Sequence, residues 1–257
     1  AKRLIGYSLE LGGKNPLIVL PGAKLGDAAE IVIAGAYGNS GQLCVSIERV
    51  YVPNNQKEAF EKELASRVNS LKIGKSDNFD MDMGTLTGVN QLKRVEDYVS
   101  DAVSKGAKVL AGAKALPELG PYFYSPTVMT NIKPEMRLAR EEVFGPFIAV
   151  VGYDSIDEAV EMANDTELGL NASVVGPVKL AEKVANRLMA GSVNINEGYR
   201  AAMASVDSPM GGMKLSGVGR RNGHYGLLRF TEARTVGIAT GLINFPSRAK
   251  QYNKMAP

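Results

Sequence analysis

Cysteine and histidine each occur once in this chain and tryptophan does not occur at all. A single cysteine cannot close an internal disulfide, and one cysteine with one histidine is a poor ligand set for zinc, so no metal is expected. No stretch approaches the roughly 18 consecutive apolar residues that a bilayer span requires. The opening AKRLIGYSLELGGK holds too short an apolar run for a signal peptide. Runs of one charge are missing too. The 30 basic and 27 acidic residues are interleaved, and the net charge of +3 gives no electrostatic footprint for nucleic acid. These absences predict a cytoplasmic protein with neither a membrane nor a nucleic-acid partner.

What is present reads as a folded domain. Apolar residues make up 45% of the 257 and charged residues 22%, a balance that excludes disorder. Short apolar runs alternate with helical periodicity. NPLIVL (Asn15 to Leu20) predicts a buried strand and Gly26 to Asn39 a helix of small residues. SIERVYVP predicts a half-exposed strand ended by Pro53. Gln56 to Ile73 predicts an amphipathic helix with Phe60, Leu64, Val68 and Leu71 on one face. A helix over about Asn90 to Lys105, the strand AKVLAG, a Gly/Pro-rich loop and the strand YSPTVMT follow. FIAVVGYD, ASVVG and SVNIN then predict three strands, with helices over SIDEAVEMANDT and VKLAEKVANRLMAG between them. From Glu197 onward Gly, Ser and Met dominate, with one helix expected near Arg221 to Phe230. This alternation predicts a three-layer α/β/α domain with a mainly parallel sheet. No internal repeat or low-complexity tract interrupts it.

The single cysteine, Cys44, lies in GNSGQLCVS (Gly38 to Ser46). Free cysteines commonly act as small buried hydrophobes, and that is one reading here. The other follows from Asn39, Ser40, Gly41 and Gln42, whose composition is that of a loop. A thiol between the end of a helix and the start of a strand is placed for access.

Five motifs occur in order: ELGGK (Glu10 to Lys14), GQLC (Gly41 to Cys44), EEVFGP (Glu141 to Pro146), GSVNIN (Gly191 to Asn196) and PMGGMKLSGVGR (Pro209 to Arg220). Together they resemble the carboxyl-terminal, catalytic half of the NAD(P)-dependent aldehyde dehydrogenase superfamily, over essentially the whole chain. The chemistry explains the grouping. A thiolate that adds to an aldehyde makes an adduct able to expel hydride, and the thioester left behind must be hydrolysed, so a soft nucleophile and a base are both needed. The resemblance implies that Cys44 is the nucleophile and Glu10 the residue that activates the deacylating water. It also implies that Glu142 hydrogen-bonds the nicotinamide-side ribose of NAD or NADP and that Phe144 packs near the nicotinamide. A helix terminus leading into a strand is the structural alternative for EEVFGP. The backbone N–H of Cys44 would be one oxyanion-hole donor.

Other residues keep two readings. Gly12 and Gly13 allow either close backbone approach or positive φ, or else form a simple turn. Asn194 and Asn196 either orient the catalytic loops or form a turn. His224 is expected at the surface. GVGRRNG (Gly217 to Gly223) misses the GxGxxG spacing and follows no apolar strand, so it is not taken for a dinucleotide fingerprint.

The family's cofactor-binding domain precedes ELGGK, and no strand, glycine-rich turn and helix of that kind is found here, so a catalytic-domain fragment is expected, inactive alone. Residues 1–230 are expected to form the catalytic domain. Residues 231–257 would then be a carboxyl-terminal strand and tail, with RTVGIATG (Arg234 to Gly241) at the position that joins subunits in the family's homo-oligomers. An apolar face left uncovered in the fragment would drive self-association. Flanking residues look most like bacterial succinate-semialdehyde dehydrogenases. A carboxylated aldehyde wants a cation and a hydroxyl near its far end, and Arg200 and Ser205 are the candidates, the alternative being an exposed arginine with no partner. The arginine that several such enzymes carry six residues before the nucleophile is here Gly38. Another aliphatic aldehyde, a cofactor-independent cysteine esterase and a noncatalytic structural domain are the competing functions.

Overall fold

The computed structural model describes residues 5–240 and Ala249. The chain opens with the two-residue strand β1 (Leu9–Glu10), then β2 (Asn15–Val19), α1 (Leu25–Tyr37), a 3-10 turn (Gly38–Gly41) and β3 (Ile47–Pro53). Next come α2 (Asn54–Asn69), α3 (Val89–Ser104), β4 (Lys108–Ala111), β5 (Thr127–Thr130), α4 (Arg137–Arg140) and β6 (Phe147–Tyr153). The remainder is α5 (Ile156–Asn164), β7 (Leu168–Gly169), β8 (Asn171–Val175), α6 (Val178–Ala185), β9 (Ser192–Ile195) and α7 (Arg200–Ala204). Two short strands, β10 (Met213–Lys214) and β11 (Gly217–Val218), lead to α8 (Gly223–Leu228).

Seven strands form one sheet in the order β4-β5-β6-β3-β2-β8-β9. Only the β4–β5 pair is antiparallel; all other neighbours run parallel, as the strand and helix alternation predicts. Strand periodicity sorts the core into layers. Leu17 and Val19 face one side, where Val50, Val52 and Ile148 meet Ala28, Ala29 and Val32 of α1 and Phe60, Leu64 and Val68 of α2. Ile18 and Leu20 face the other side, with Ala172 and Val174, under Ala159 and Ala163 of α5 and Ala181 and Val184 of α6. A third cluster seats Val95, Tyr98 and Val99 of α3 on Met129, Phe147 and Ala149.

Two expectations change. Strand β3 is not half exposed: all seven of its residues are buried, because it lies between β2 and β6 with helices on both faces. Helix α2 ends at Asn69, so Leu71 joins the core from beyond the helix. Residues 234–240, where a subunit-joining strand is expected, carry no ladder with any described residue and are exposed. Gly241 and the rest of that tail, Ala249 apart, lie outside the described residues.

The parallel sheet decides where the motifs go. ELGGK directly precedes β2, GQLC precedes β3, EEVFGP precedes β6, and Asn171 is the first residue of β8. The order β6-β3-β2-β8 makes these four strands neighbours, and parallel strands all begin on the same edge. Four segments far apart in sequence are therefore gathered at the amino ends of adjacent strands, opposite to the carboxyl-end crevice usual in open α/β sheets.

Candidate active site

The Cys44 loop is built by an abrupt change of backbone. After α1, Asn39, Ser40 and Gly41 all take positive φ (52°, 56° and 72°), turning the chain toward β3. At Gly41 the space for a Cβ is filled by the Gly145 carbonyl, so the loop lies directly on the EEVFGP segment. Gln42 fixes it from the side: its amide donates to Asn39 O (3.1 Å) and Thr85 O (3.3 Å), and its Oε1 accepts from Thr87 N (2.8 Å).

A chain of buried asparagines holds the loop from below. Asn15 Nδ2 donates to Cys44 O (2.8 Å) and Ser46 O (2.7 Å), and its Oδ1 accepts from Asn171 N (3.0 Å). Asn171 Nδ2 donates to Val45 O (3.1 Å) and Gly198 O (3.0 Å). Asn194 Nδ2 donates to Asn171 Oδ1 (2.9 Å) while its own Oδ1 accepts from Ala202 N (2.9 Å). Thus Asn194 supports the Cys44 loop through Asn171, whereas Asn196 pairs both its side-chain groups with Gly176 in a turn at φ 55°. Asparagine suits this place because it donates and accepts at once inside a dry region.

Cys44 is half-buried and free of any disulfide. Burial pushes its thiol upward, the negative charges of Glu142 and Glu10 push it further, and the amides of Cys44 and Val45 pull only partly back. Both acids therefore act on the sulfur, and the thiol rests protonated at neutral pH. Glu10 is the most unusual group in the site: both carboxylate oxygens are buried without a hydrogen-bond partner among the described residues. A carboxylate in that state is costly to keep unless it has work with a bound molecule.

The glycines of ELGGK owe their identity to close approach, since neither has positive φ. A Cβ on Gly12 would strike the Glu142 carboxylate, and one on Gly13 would stand 2.5 Å from Cys44 O. Glu142 Oε1 accepts from Gly13 N (2.9 Å), and its Oε2 accepts no hydrogen bond among the described residues. Burial raises this carboxyl above its ordinary range despite the Gly13 amide. A half-buried carboxylate with one oxygen anchored and one open fits a sugar hydroxyl, so the residues present are compatible with a nucleotide's ribose.

Phe144, at φ 56°, is held by its backbone. Its N–H and that of Val143 donate to Glu48 (both to Oε1 at 3.0 Å), and its carbonyl accepts from Gln91 Nε2 (2.5 Å). Glu48 also receives Lys14 Nζ at 2.5 Å, in an ion pair with side chains 3% and 0% exposed. Burial pushes the Lys14 amine down and Glu48 opposes it. Arg49 completes the support, donating to Lys14 O and to Met162 O and Ala163 O at the end of α5, where a cation complements the helix dipole.

The remaining candidates lie apart from this cluster. Arg200 is exposed and clamps Glu197 through Nε (3.1 Å) and Nη2 (3.0 Å). Burial alone would raise the Glu197 carboxyl, but Arg200 and the Gly198 amide outweigh it and hold it low. Ser205 Oγ shares a 2.7 Å hydrogen bond with Ser208 Oγ and lines an open cleft of about 410 Å³ beside β9. At Gly38, a Cβ would come within 2.7 Å of Tyr199 Oη, so the tyrosine hydroxyl stands where a side chain at that position would begin. His224 is exposed, with Tyr225 at its edge. No cluster of metal-binding side chains occurs among the described residues, and no helix among them is long and apolar enough to cross a membrane.

A thiol on a strained loop, an orphaned buried carboxylate and an anchored glutamate at one sheet edge accord with the match of residues 1–236 to the model of the aldehyde dehydrogenase family. This chain belongs to that family. A Mycobacterium tuberculosis protein named "Putative succinate-semialdehyde dehydrogenase", with NADP(+) as its nucleotide, is 50% identical over 239 residues, covering 93% of this chain and 46% of that protein. Its Mycolicibacterium smegmatis counterpart is 49% identical over 236 residues, covering 91% and 46%. Among solved structures, the NAD+ complex of an aldehyde dehydrogenase from Bacillus cereus superposes with a TM-score of 0.82 at 38% identity, covering 88% of this chain and 45% of that one. An NAD-dependent aldehyde dehydrogenase from Sinorhizobium meliloti gives 0.87 at 34% identity, covering 93% and 47%. The chain thus spans about half the length of the aldehyde dehydrogenases it matches.

Sequence reasoning missed Asn15, Glu48, Asn171, Tyr199 and Arg221. The first three carried a weak signal, a polar residue at or next to the first position of an otherwise apolar strand. Arg221 carried none.

Proposed function

We propose that this chain supplies the catalytic machinery of an NAD(P)-dependent aldehyde dehydrogenase that oxidises succinate semialdehyde to succinate. The observation that carries this reading is the buried, unpartnered carboxylate of Glu10 acting on the half-buried thiol of Cys44. The thiol passes its proton to solvent water, and the sulfur forms a C–S bond to the aldehyde carbon as the carbonyl π pair moves to oxygen. The Cys44 and Val45 amides face the sulfur and are placed to steady the oxyanion that forms. A bound oxidised nicotinamide nucleotide supplies the acceptor for the hydride that leaves that carbon. Glu142 Oε2 and the backbone-held Phe144 would hold its ribose and nicotinamide ends. Water then adds to the thioester while Glu10 takes one of its protons; the C–S bond breaks and its electron pair returns to sulfur. The product leaves as a carboxylic acid.

The 50% identity to relatives named for succinate semialdehyde supports the substrate, and their naming supports NADP, alongside structural neighbours bound to NAD+. Arg200 and Ser205 are the proposed contacts for the substrate carboxylate: Nη1 of Arg200 makes no hydrogen bond among the described residues. In a chain of family length that includes these residues, Cys44→Ser should lower kcat about a thousandfold or more. Glu10→Gln should lower it about a hundredfold or more, the usual worth of a general base. Comparing kcat/KM for succinate semialdehyde with that for an uncharged aldehyde of similar length tests the substrate. Equal turnover of the Cys44→Ser enzyme would overturn the mechanism, and preference for the uncharged aldehyde would overturn the substrate.

A further inference from the structure

The last of the five motifs, PMGGMKLSGVGR with the arginine that follows it, has no part in the chemistry above, yet it wraps the general base. Strand β11 pairs antiparallel with β1, placing Glu10 opposite Gly217. Leu11 N donates to Ser216 O (3.0 Å), and Ser216 Oγ, wholly buried, donates to Gly12 O (2.7 Å). The Gly217 position takes φ 155°, and a Cβ there would strike Leu9 O, so the two strands touch backbone to backbone. Beyond β11 the chain doubles back. Met210 and Arg221 exchange two backbone hydrogen bonds, of 2.7 and 2.6 Å, and this bridge returns Arg221 to the carboxylate. Its Nε lies 4.0 Å from Glu10 Oε1.

Among the described residues Arg221 is the one cation within ion-pair range of Glu10, and its guanidinium makes no hydrogen bond. Its neighbour Arg220 is turned away and donates to Gly212 O and Gly219 O. A carboxylate that must approach a water molecule, yet has no donor of its own, needs something to fix its direction. A basic side chain suits this, because its charge persists across the working pH range and attracts the carboxylate without occupying its lone pairs. A separation of 4.0 Å holds the carboxylate by attraction and leaves its lone pairs open to water.

We propose that Arg221 is a positioning residue for Glu10, orienting the carboxylate that activates the hydrolytic water. The inference rests on the reading of Cys44 and Glu10 given above, and it concerns deacylation alone. Acylation of the sulfur forms the C–S bond without Glu10 moving a water proton, whereas release adds water to the thioester carbon, passes one proton to Glu10 and returns the C–S electron pair to sulfur.

A nucleotide-free assay separates the two steps. p-Nitrophenyl acetate acylates the thiol with release of p-nitrophenolate, and the acetyl adduct then hydrolyses; intact-protein mass spectrometry follows its lifetime. The assay is run on the protein and on a chain of family length that includes these residues. Arg221→Gln should lengthen the adduct's lifetime about tenfold with the acylation rate within about twofold of the unsubstituted protein. Arg221→Lys, which keeps the charge, should bring the lifetime back to within about threefold. A purely structural role would slow both steps together, and that result, or an unchanged lifetime in Arg221→Gln, would overturn the proposal. An adduct that forms equally in Cys44→Ala would overturn both this inference and the nucleophile it depends on.

Discussion

Asn171 shows how much a single amide can hold. Its side chain joins Val45 O, Gly198 O and Asn194 Nδ2, three groups from three segments, at 1% exposure. Replacing it with leucine, which keeps the branching but is larger and has no polar atoms, strands all three in a dry place. Buried groups without partners cost about 1–3 kcal/mol each, with partial relaxation, so Asn171→Leu should lose about 3 kcal/mol in urea unfolding. A loss below about 1 kcal/mol would show that the amide chain does not support the loop. Cys44 makes a prediction of a different kind. Burial and two nearby acids raise its thiol, so alkylation by iodoacetamide should rise with pH along a curve displaced above that of an unfolded cysteine, near 8.5. Glu142→Gln removes one acid and should move the curve downward. The sign for stability follows from linkage: the folded state keeps its proton longer, so this thiol's contribution is complete below the unfolded pKa and declines as pH rises through the folded one. Urea midpoints measured across pH 7 to 10, the range bracketing that reference value, should fall in the unsubstituted protein and fall less in Cys44→Ala.

Elements were legible in the sequence wherever periodicity alone decides them. NPLIV, FIAVVGY and NASVV read as strands because apolar runs of that length have nowhere to go but a covered sheet. Helix α3 and the helix over residues 54–69 showed their apolar faces directly. What the sequence could not show was contact at long range. SIERVYVP reads as a half-exposed strand because nothing local announces the Val143 and Phe144 amides that Glu48 meets about a hundred positions away. Cys44, Glu10 and Glu142 stand in the motifs whose order carries the resemblance, whereas the asparagine chain and Arg221 depend on which strands become neighbours. The loops carry the matching prediction. Gly41 has positive φ with the Gly145 carbonyl where its Cβ would be, and both are backbone, so neither can swing away. Gly41→Ala should destabilise the protein by about 3 kcal/mol or more, combining left-handed strain with a forced loop displacement. Gly84→Ala meets nothing within 4 Å and has no positive φ, so it should be neutral within about 0.5 kcal/mol by the same urea measurement.

At the scale of the whole molecule, the sheet buries its two faces well while one flank stays apolar and open. Around the β1–β11 ladder and α8, Tyr7, Leu9, Val218, Leu227 and Phe230 are exposed, from 42% at Leu9 to 83% at Phe230. Exposed apolar side chains gathered on neighbouring elements mark an interface or drive association. Leu9 and Val218 lie on the same strand pair that carries Glu10, so whatever covers them also lies beside the candidate site. The 257-residue chain by itself should therefore associate with rising concentration, and sedimentation velocity should show weight-average size increasing over a hundredfold range of dilution. Leu227→Lys together with Phe230→Ser places polar groups in the patch without touching the core, since both side chains are exposed. That variant should sediment as a monomer throughout the range with its urea midpoint unchanged. A concentration-independent monomer in the unsubstituted chain would show that the exposed flank is no sticking surface, and the case for a covering partner at β1 and β11 would fall with it.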